Sequence, residues 1–127
     1  MKKNLSNYQT GLNAEIIASN YLKNKGYDIF KHRYKTKYGE IDLIVFKDDL
    51  LIFVEVKNRK SIPNYDIILN KQKSRSCEVA IYFLSQYHQF KNFQMRFDCF
   101  LIDKYGKFRC IENAWEVSEV RLMGVLW

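Results

Sequence analysis

The chain has 127 residues, of which 47% are hydrophobic and 16% aromatic, a composition that excludes a disordered chain. A single proline and five glycines leave little material for flexible linkers. We therefore expect one domain over residues 1–127, with a C-terminal tail at 113–127 that no pattern places. The net charge of +7 favours a polyanionic partner such as nucleic acid, although a lysine-rich proteome would also produce it.

The cysteines and the N-terminus indicate the compartment. Cys77, Cys99 and Cys110 are odd in number, lack metal-ligand spacing and lie among apolar residues, which predicts buried free thiols in a reducing environment. The first residues carry no apolar segment typical of a signal peptide, and no apolar run approaches the length of a membrane span. We expect a cytoplasmic protein that does not associate with a membrane.

The first predicted element is a helix over residues 8–25, which Gly26 ends. Glu15 lies on the apolar stripe of this helix, because Leu12 and Ala18 are its neighbours three residues away on either side. Two interpretations stay open for this carboxylate. It is either a glutamate of the N-terminal turn, favoured by the helix dipole, or a third carboxylate at a site formed with the strands that follow.

A strand over residues 27–34 follows and overlaps a basic cluster at 31–37. Aromatic residues alternate with lysines here, and their rings either cover the sheet or stack on nucleic-acid bases. They are Phe30, Tyr34 and Tyr38. Two more basic clusters lie at 57–60 and 71–75. All three flank the next element in sequence, an arrangement that suits a phosphate backbone running past it.

Residues 38–47 and 50–57 predict a β-hairpin with its turn at two aspartates, 48 and 49. This turn places Asp42 opposite Glu55. The same register places Glu40 opposite Lys57, and the strand period of two puts all four side chains on one face. Facing carboxylates repel, so Asp42 and Glu55 are candidates for a divalent-cation site with Lys57 beside it. The alternative is a solvated face of ion pairs, Glu40 with Lys57 and Glu55 with Arg59.

The second half of the chain predicts a loop at 61–65, a long helix at 66–89, and strands at 96–102 and 107–111. Asp98 lies beside Arg96 on the first of these strands, which favours a structural ion pair. The order α-β-β-β-α-β-β is typical of an α/β protein with a central mixed sheet flanked by helices.

The hairpin residues Asp42, Glu55 and Lys57 have the spacing of the PD-(D/E)xK nuclease superfamily, and a wider set of residues resembles one of its families. That family is the YraN family of small endonuclease-like bacterial proteins, which are similar to archaeal Holliday-junction resolvases. The matching residues run in family order over roughly 8–115: Gly11, Ala14-Glu15, Ala18, Tyr21-Leu22, Gly26-Tyr27, Gly39-Glu40-Ile41-Asp42-Leu43-Ile44, Phe53-Val54-Glu55-Val56-Lys57-Asn58-Arg59, Lys71-Gln72, Arg96-Phe97-Asp98 and Asn113-Ala114.

The resemblance implies a restriction-endonuclease-like fold and an Mg²⁺ site, in which Mn²⁺ would substitute. Its metal ligands would be Asp42, Glu55 and the carbonyl of Val56. The catalytic groups implied are Asp42, Glu55, Lys57 and Glu15. The nucleic-acid contacts would come from basic and amide side chains: Lys35, Lys37, Arg59, Lys71, Gln72 and Lys73. The spacing of the second helix leaves open which of Lys71, Gln72 or Lys73 reaches the site.

The function implied is metal-dependent hydrolysis of phosphodiester bonds by a DNA endonuclease that acts on branched or damaged DNA. A non-catalytic nucleic-acid-binding or recombination-accessory protein on the same fold is the alternative. The chain has no separate target-reading domain, which favours recognition of DNA shape or backbone. Cleavage of both strands would need two sites, which a homodimer would supply.

Overall fold

The predicted order of elements, α-β-β-β-α-β-β, is confirmed. The computed structural model describes residues 7–59 and 70–115. The helices and strands are α1 (Asn7–Asn24), β1 (Asp28–Thr36), β2 (Gly39–Lys47), β3 (Leu50–Arg59), α2 (Asn70–Gln86), β4 (Gln94–Asp103) and β5 (Phe108–Trp115), and a short 3-10 helix spans His88–Phe90. The predicted loop at 61–65, the first residues of the predicted second helix and residues 116–127 of the tail lie outside the described residues.

The five strands form one sheet in the order β1-β2-β3-β4-β5. β1, β2 and β3 pair antiparallel in sequence, as do β4 and β5, whereas β3 and β4 are parallel. A parallel pair needs a long crossover, and the connection that contains α2 supplies it. The mixed sheet with helices is therefore an α/β arrangement consistent with the restriction-endonuclease-like fold.

The two helices cover opposite faces of the sheet. On the α1 face, Ala14, Ala18 and Leu22 pack against strand residues that include Leu43 and Val54. On the α2 face, an aromatic-rich core joins the helix to the sheet. Its members include Ile41, Ile44, Phe53, Phe83, Phe90 and Phe97, with Phe30 and Tyr34 packed against them. The long apolar run of β3 is explained by this burial from both sides.

The first helix ends as its sequence predicts. Gly26 has a left-handed backbone with φ 93°, and the N–H of Tyr27 donates to the carbonyl of Leu22 at 3.1 Å. The second helix ends at Gln86, earlier than predicted, because the chain tightens into the 3-10 helix. No described helix is long and apolar enough to cross a membrane.

The last strand extends beyond the predicted end at residue 111, since β5 continues through Asn113 to residue 115 of the stretch that no sequence pattern placed. The β4–β5 register shifts between Phe97 and Cys99, and Asn113 takes φ 51°. Its N–H donates to Oδ1 of Asp98 at 2.9 Å, which ties the irregular stretch to β4. Sequence periodicity does not reveal such a bulge, because the extra residues break the alternation that defines a strand.

The cysteines are free thiols, as predicted. Cys77 and Cys99 are buried, whereas Cys110 is half-buried. Burial raises the pKa of Cys110 to about 12, so its thiol stays protonated and unreactive.

Candidate functional site

The predicted hairpin register is confirmed. β2 and β3 pair from Leu43 with Val54 to Lys47 with Leu50. Asp48 adopts the left-handed conformation, with φ 53°, that aspartate tolerates better than most residues in a tight turn. One step beyond the Leu43–Val54 pair, on the side away from the turn, this register brings Asp42 and Glu55 opposite each other.

The backbone hydrogen bonds between β2 and β3 end at that point, because a side-chain oxygen accepts the next hydrogen bond in place of a backbone carbonyl. Oδ2 of Asp42 accepts a hydrogen bond from the backbone N–H of Val56 at 2.8 Å. Regular alternation also breaks here. Ile41 belongs to the α2-face core and Leu43 to the α1-face core, although residues two apart on a regular strand share a face. The carboxylate of Asp42 consequently lies in the seam between β2 and β3.

The strand on the other side of β2 is irregular at the same level. His32 and Tyr34 pair with Leu43 and Ile41, which places Arg33 directly opposite Asp42. Arg33 has φ 49°, a left-handed conformation that costs a non-glycine residue on the order of 1–2 kcal/mol. Strain of this kind is often found at functional sites. No pattern in the sequence marks this position, because a left-handed residue inside a strand has no periodic signature.

Asp42 and Glu55 form a partly buried acidic pair. Burial, and then the negative charge of Asp42 with a hydrogen bond between the two side chains, raise the pKa of Glu55 to about 8. Burial also raises the pKa of Asp42, against the stabilising N–H of Val56, and the charge of Glu15 adds to the rise. The two neighbouring carboxyls resist being ionised at the same time. A cation bound between them would offset their mutual repulsion and favour the ionised form of both.

Lys57 is a cation beside Glu55. Its Nζ lies 4.0 Å from Oε2 of Glu55, and the two side chains are only 26% and 15% exposed. Its charge lowers the pKa of both Asp42 and Glu55, but burial outweighs it. Lys57 and Glu55 therefore do not lie on a solvated face. The alternative pairing of Glu55 with Arg59 involves a side chain outside the described residues and is not tested.

Glu15 reaches the same site from α1. It lies in the middle of the helix, so the interpretation as an N-terminal-turn glutamate is wrong. Arg33 Nε donates to both of its carboxylate oxygens, at 2.8 and 3.2 Å. Glu15, Arg33 and Asp42 line one cavity of about 300 Å³, together with Lys35 and Glu40.

The prediction that the four charged hairpin residues share one face is wrong. They lie at one end of the sheet but not on the same face. Phe53 belongs to the α2-face core and Val56 to the α1 face, so alternation directs Glu55 and Lys57 toward the α2 side. Glu40 instead lines the cavity that Val56 lines. Asp42 lies between β2 and β3, opposite Glu55, and also lines the cavity of Glu40, so it connects the residues of the two faces.

The predicted nucleic-acid contacts are described only in part. Lys35 and Lys37 are exposed at the end of β1 and in the turn that follows. The side chains of Arg59, Lys71, Gln72 and Lys73 lie outside the described residues, so their predicted contacts stay predictions.

The donor set suits a hard cation, but it is small. Within residues 7–59 and 70–115, no three His, Cys, Asp or Glu side chains are grouped at metal-binding distance. Asp42 and Glu55 offer oxygen atoms alone, and Glu15 is engaged by Arg33. Mg²⁺ accepts such a set, since it prefers oxygen and retains several of its waters.

Comparison with known proteins places the chain in a family. The model of the uncharacterised protein family UPF0102 matches residues 14–102. A UPF0102 protein of Ehrlichia ruminantium is 36% identical over 93% of this chain and 92% of its own length. UPF0102 proteins of Nitrobacter winogradskyi and Natranaerobius thermophilus are 40% and 37% identical, over 87% and 92% of this chain and 95% and 98% of their own lengths. The chain belongs to the UPF0102 family, which confirms the resemblance to the YraN family.

Proposed function

We propose that this member of the UPF0102 family is a metal-dependent DNA endonuclease that hydrolyses phosphodiester bonds in branched or damaged DNA. One observation carries the proposal: the register of β2 and β3 places the partly buried carboxyls of Asp42 and Glu55 opposite each other, with Lys57 Nζ 4.0 Å from Glu55. Burying two like charges side by side is costly, and a cation is the simplest reason for a protein to keep them.

Asp42 and Glu55 would hold Mg²⁺ or Mn²⁺ through their side-chain oxygens, and the carbonyl of Val56 is a third candidate ligand. The bound ion would lower the pKa of a water and withdraw charge from the phosphate. Oδ2 of Asp42 accepts a hydrogen bond from the N–H of Val56, so Oδ1 is the oxygen proposed to bind the ion.

Lys57 would act on the substrate and not on the ion. Three N–H donors at the edge of a carboxylate pair can orient an attacking water or stabilise negative charge on the phosphoryl oxygens. Its partial burial helps, because a charge in a poorly solvated site interacts more strongly with charge that develops nearby.

The net charge of +7 and the exposed Lys35 and Lys37 support a nucleic-acid substrate. Lys35 lines the same cavity as Asp42, so a phosphate backbone held by this lysine would pass close to Asp42. A cytoplasmic location and a homodimer that cuts both strands belong to the same proposal.

The test is cleavage of labelled linear, flapped and four-way DNA substrates by the purified protein in Mg²⁺, Mn²⁺ or EDTA. We expect cleavage in Mg²⁺ or Mn²⁺, none in EDTA, and a loss of about a hundredfold or more in Asp42→Asn. Asp48→Asn is the matched control, since it makes the same change in the exposed hairpin turn and should leave cleavage intact.

Equal cleavage by wild type and Asp42→Asn would reveal a contaminating nuclease and overturn the assignment of the site. If wild type binds these DNA substrates but cuts none of them with any metal, the second candidate replaces the first. That candidate is a non-catalytic nucleic-acid-binding or recombination-accessory protein, which the charge of the chain favours equally.

A further inference from the structure

Two tyrosines form an exposed aromatic pair near the acidic seam, the place between β2 and β3 where Asp42 and Glu55 lie. Tyr38 lies in the turn between β1 and β2, and Tyr82 lies on α2. Their ring centroids are 5.9 Å apart with an interplanar angle of 56°, and the residues are 40% and 36% exposed. Exposed aromatic pairs of this kind are costly to hydrate and typical of binding surfaces.

The turn holds Tyr38 in place. Oγ1 of Thr36 accepts a hydrogen bond from the N–H of Tyr38 at 3.0 Å and donates to the carbonyl of Gly39 at 3.0 Å. Gly39 has φ 145°, and a side chain there would meet Val79 and Arg75 of α2 at 3.6 and 3.8 Å. The hydrogen bonds of Thr36 order the backbone of the turn, which lies close to the helix that carries Tyr82, so the turn needs little ordering on binding.

The surroundings of the aromatic pair are mainly basic. Lys37 Nζ lies 5.2 Å from the centre of the Tyr38 ring, and Arg75 is exposed two helical turns before Tyr82. Glu78 is the acidic residue on the same stretch of α2, and it is half-buried. Aromatic rings set among cations match the faces and phosphates of nucleotides.

Other aromatic side chains near the lysines of β1 do not share this exposure. Phe30 contacts the rings of Phe83, Tyr87 and Phe90, and Tyr34 contacts Phe83. They therefore cover the sheet. Among the three aromatic residues whose role the sequence left open, Tyr38 is the one available to a ligand.

The aromatic pair lies at the same end of the sheet as the acidic seam. Tyr38 precedes Asp42 by four residues, a distance of about 13 Å along an extended strand. Tyr82 belongs to the helix that covers the α2 face, toward which Glu55 and Lys57 project. A nucleic acid that reaches Lys57 would therefore pass within a few nucleotides of the aromatic pair.

We propose that Tyr38 and Tyr82 stack an unpaired base of the DNA, so that the protein selects DNA in which unpaired nucleotides adjoin a duplex. In a regular duplex the bases are stacked on each other and their faces are unavailable, whereas flaps, bulges and junctions present them. This inference rests on the proposed function for its DNA substrate and names the structural class of that substrate.

The experiment measures binding without chemistry. The protein in EDTA is titrated into fluorescein-labelled duplexes of equal length, one fully paired and one with about four unpaired nucleotides at its centre, and anisotropy gives each Kd. We expect wild type to bind the DNA with unpaired nucleotides about five- to a hundredfold more tightly than the fully paired duplex, the scale of stacking one or two bases. The double substitution Tyr38→Ala with Tyr82→Ala should lower the affinity for the DNA with unpaired nucleotides to that for the paired duplex. Its affinity for the paired duplex should be nearly unchanged.

Two further variants separate stacking from loss of structure. Tyr38→Phe keeps an aromatic face and should retain the preference. Met95→Ala removes a side chain of similar exposure, 37%, at the opposite end of the sheet, and should also retain it. A fluorescent base analogue in the unpaired segment should report stacking with wild type and lose the signal with the double variant.

The outcomes distinguish this inference from the proposed function. Equal binding of both DNAs by wild type, or a preference that survives the double substitution, overturns the inference and leaves the endonuclease proposal standing. Failure to bind any DNA overturns both. If the double substitution instead converts a dimer into a monomer in sedimentation without DNA, the aromatic pair is a contact between two copies of the chain, and the inference is wrong.

Discussion

The backbone N–H of Val56 donates to Oδ2 of Asp42 over 2.8 Å, and this bond stands where a regular hairpin would continue its ladder. Because the carboxylate of Asp42 accepts this bond in place of a backbone carbonyl, the regular pairing of β2 with β3 ends here. The bond also gives Asp42 a structural role beside the proposed metal-binding one, and two substitutions separate these roles.

Asp42→Asn should leave the metal-free protein as stable as wild type or more stable. The amide oxygen can still accept from Val56, and removal of the charge ends the repulsion with Glu55. Asp42→Ala should instead lose about 1–3 kcal/mol, because the N–H of Val56 is left without its acceptor. Urea denaturation in EDTA measures both, and equal stability of the two variants would show that this hydrogen bond contributes nothing.

The stability of the metal-free protein should fall as pH rises from about 5 to about 8. The folded protein keeps the Glu55 proton up to a pKa of about 8, whereas the unfolded chain releases it near the ordinary value of 4.5. Folding stability from this group is therefore fully present at low pH and is lost as pH rises through the folded pKa. With about 1.4 kcal/mol per pKa unit, we expect a loss on the order of 2–4 kcal/mol.

Glu55→Gln removes this titration, so its thermal midpoint in EDTA should vary much less with pH than that of wild type. At pH 8, Mg²⁺ should raise the midpoint of wild type by binding the folded state and should have little effect on Glu55→Gln. Parallel pH profiles for the two proteins would mean that Glu55 titrates normally and is not held in a buried pair.

The hairpin of the candidate site is predictable from the sequence because its information is local. The apolar alternation and the acidic turn fix the register of Leu43 with Val54, and that register implies the approach of Asp42 to Glu55. The ion pair of Asp98 with Arg96 is likewise predicted by their proximity on one strand, and Arg96 Nε donates to Oδ1 of Asp98 at 2.8 Å.

The parts that were not predicted depend on tertiary contacts or on breaks in periodicity. Arg33 binds Glu15, 18 residues earlier in the chain, from a left-handed backbone that no alternation pattern indicates. Tyr38 meets Tyr82 because the turn between β1 and β2 lies close to α2. Periodicity gives the face of a residue and not its distant partner, so such contacts need coordinates.

Electrostatic contacts with DNA should come in part from the basic end of β1. Lys35→Ala with Lys37→Ala should weaken DNA binding and reduce the slope of log K against log salt by up to about two. Lys47→Ala with Lys91→Ala is the matched control, because these exposed lysines lie near the opposite end of the sheet, one at the hairpin turn after β2 and one just before β4. An unchanged slope in the first variant would place the DNA backbone elsewhere on the surface.

Asp98 should be structural and not catalytic. It is 1% exposed, accepts two hydrogen bonds from Arg96, and accepts another from the N–H of Asn113. Asp98→Ala should cost about 3 kcal/mol, because it leaves a partly buried guanidinium and a backbone donor without their acceptor. Asp28→Ala, at an exposed position of β1, should cost little. If Asp98→Ala unfolds at the urea concentration of wild type, the ion pair does not stabilise the β4–β5 bulge.

Lys57 should be required for turnover and not for metal binding. Its Nζ is 4.0 Å from Glu55, so Lys57→Ala removes a positive charge from the acidic pair, and metal affinity should stay equal or rise. Cleavage should fall by about a hundredfold or more, the scale of losing one preorganised electrostatic group. Calorimetry with Mg²⁺ or Mn²⁺ and single-turnover cleavage on the same preparation separate the two effects. Lys91→Ala, an exposed lysine after the 3-10 helix, is the matched control and should behave as wild type. Loss of metal binding in Lys57→Ala would show that the lysine organises the carboxylates, and undiminished cleavage would exclude it from the reaction.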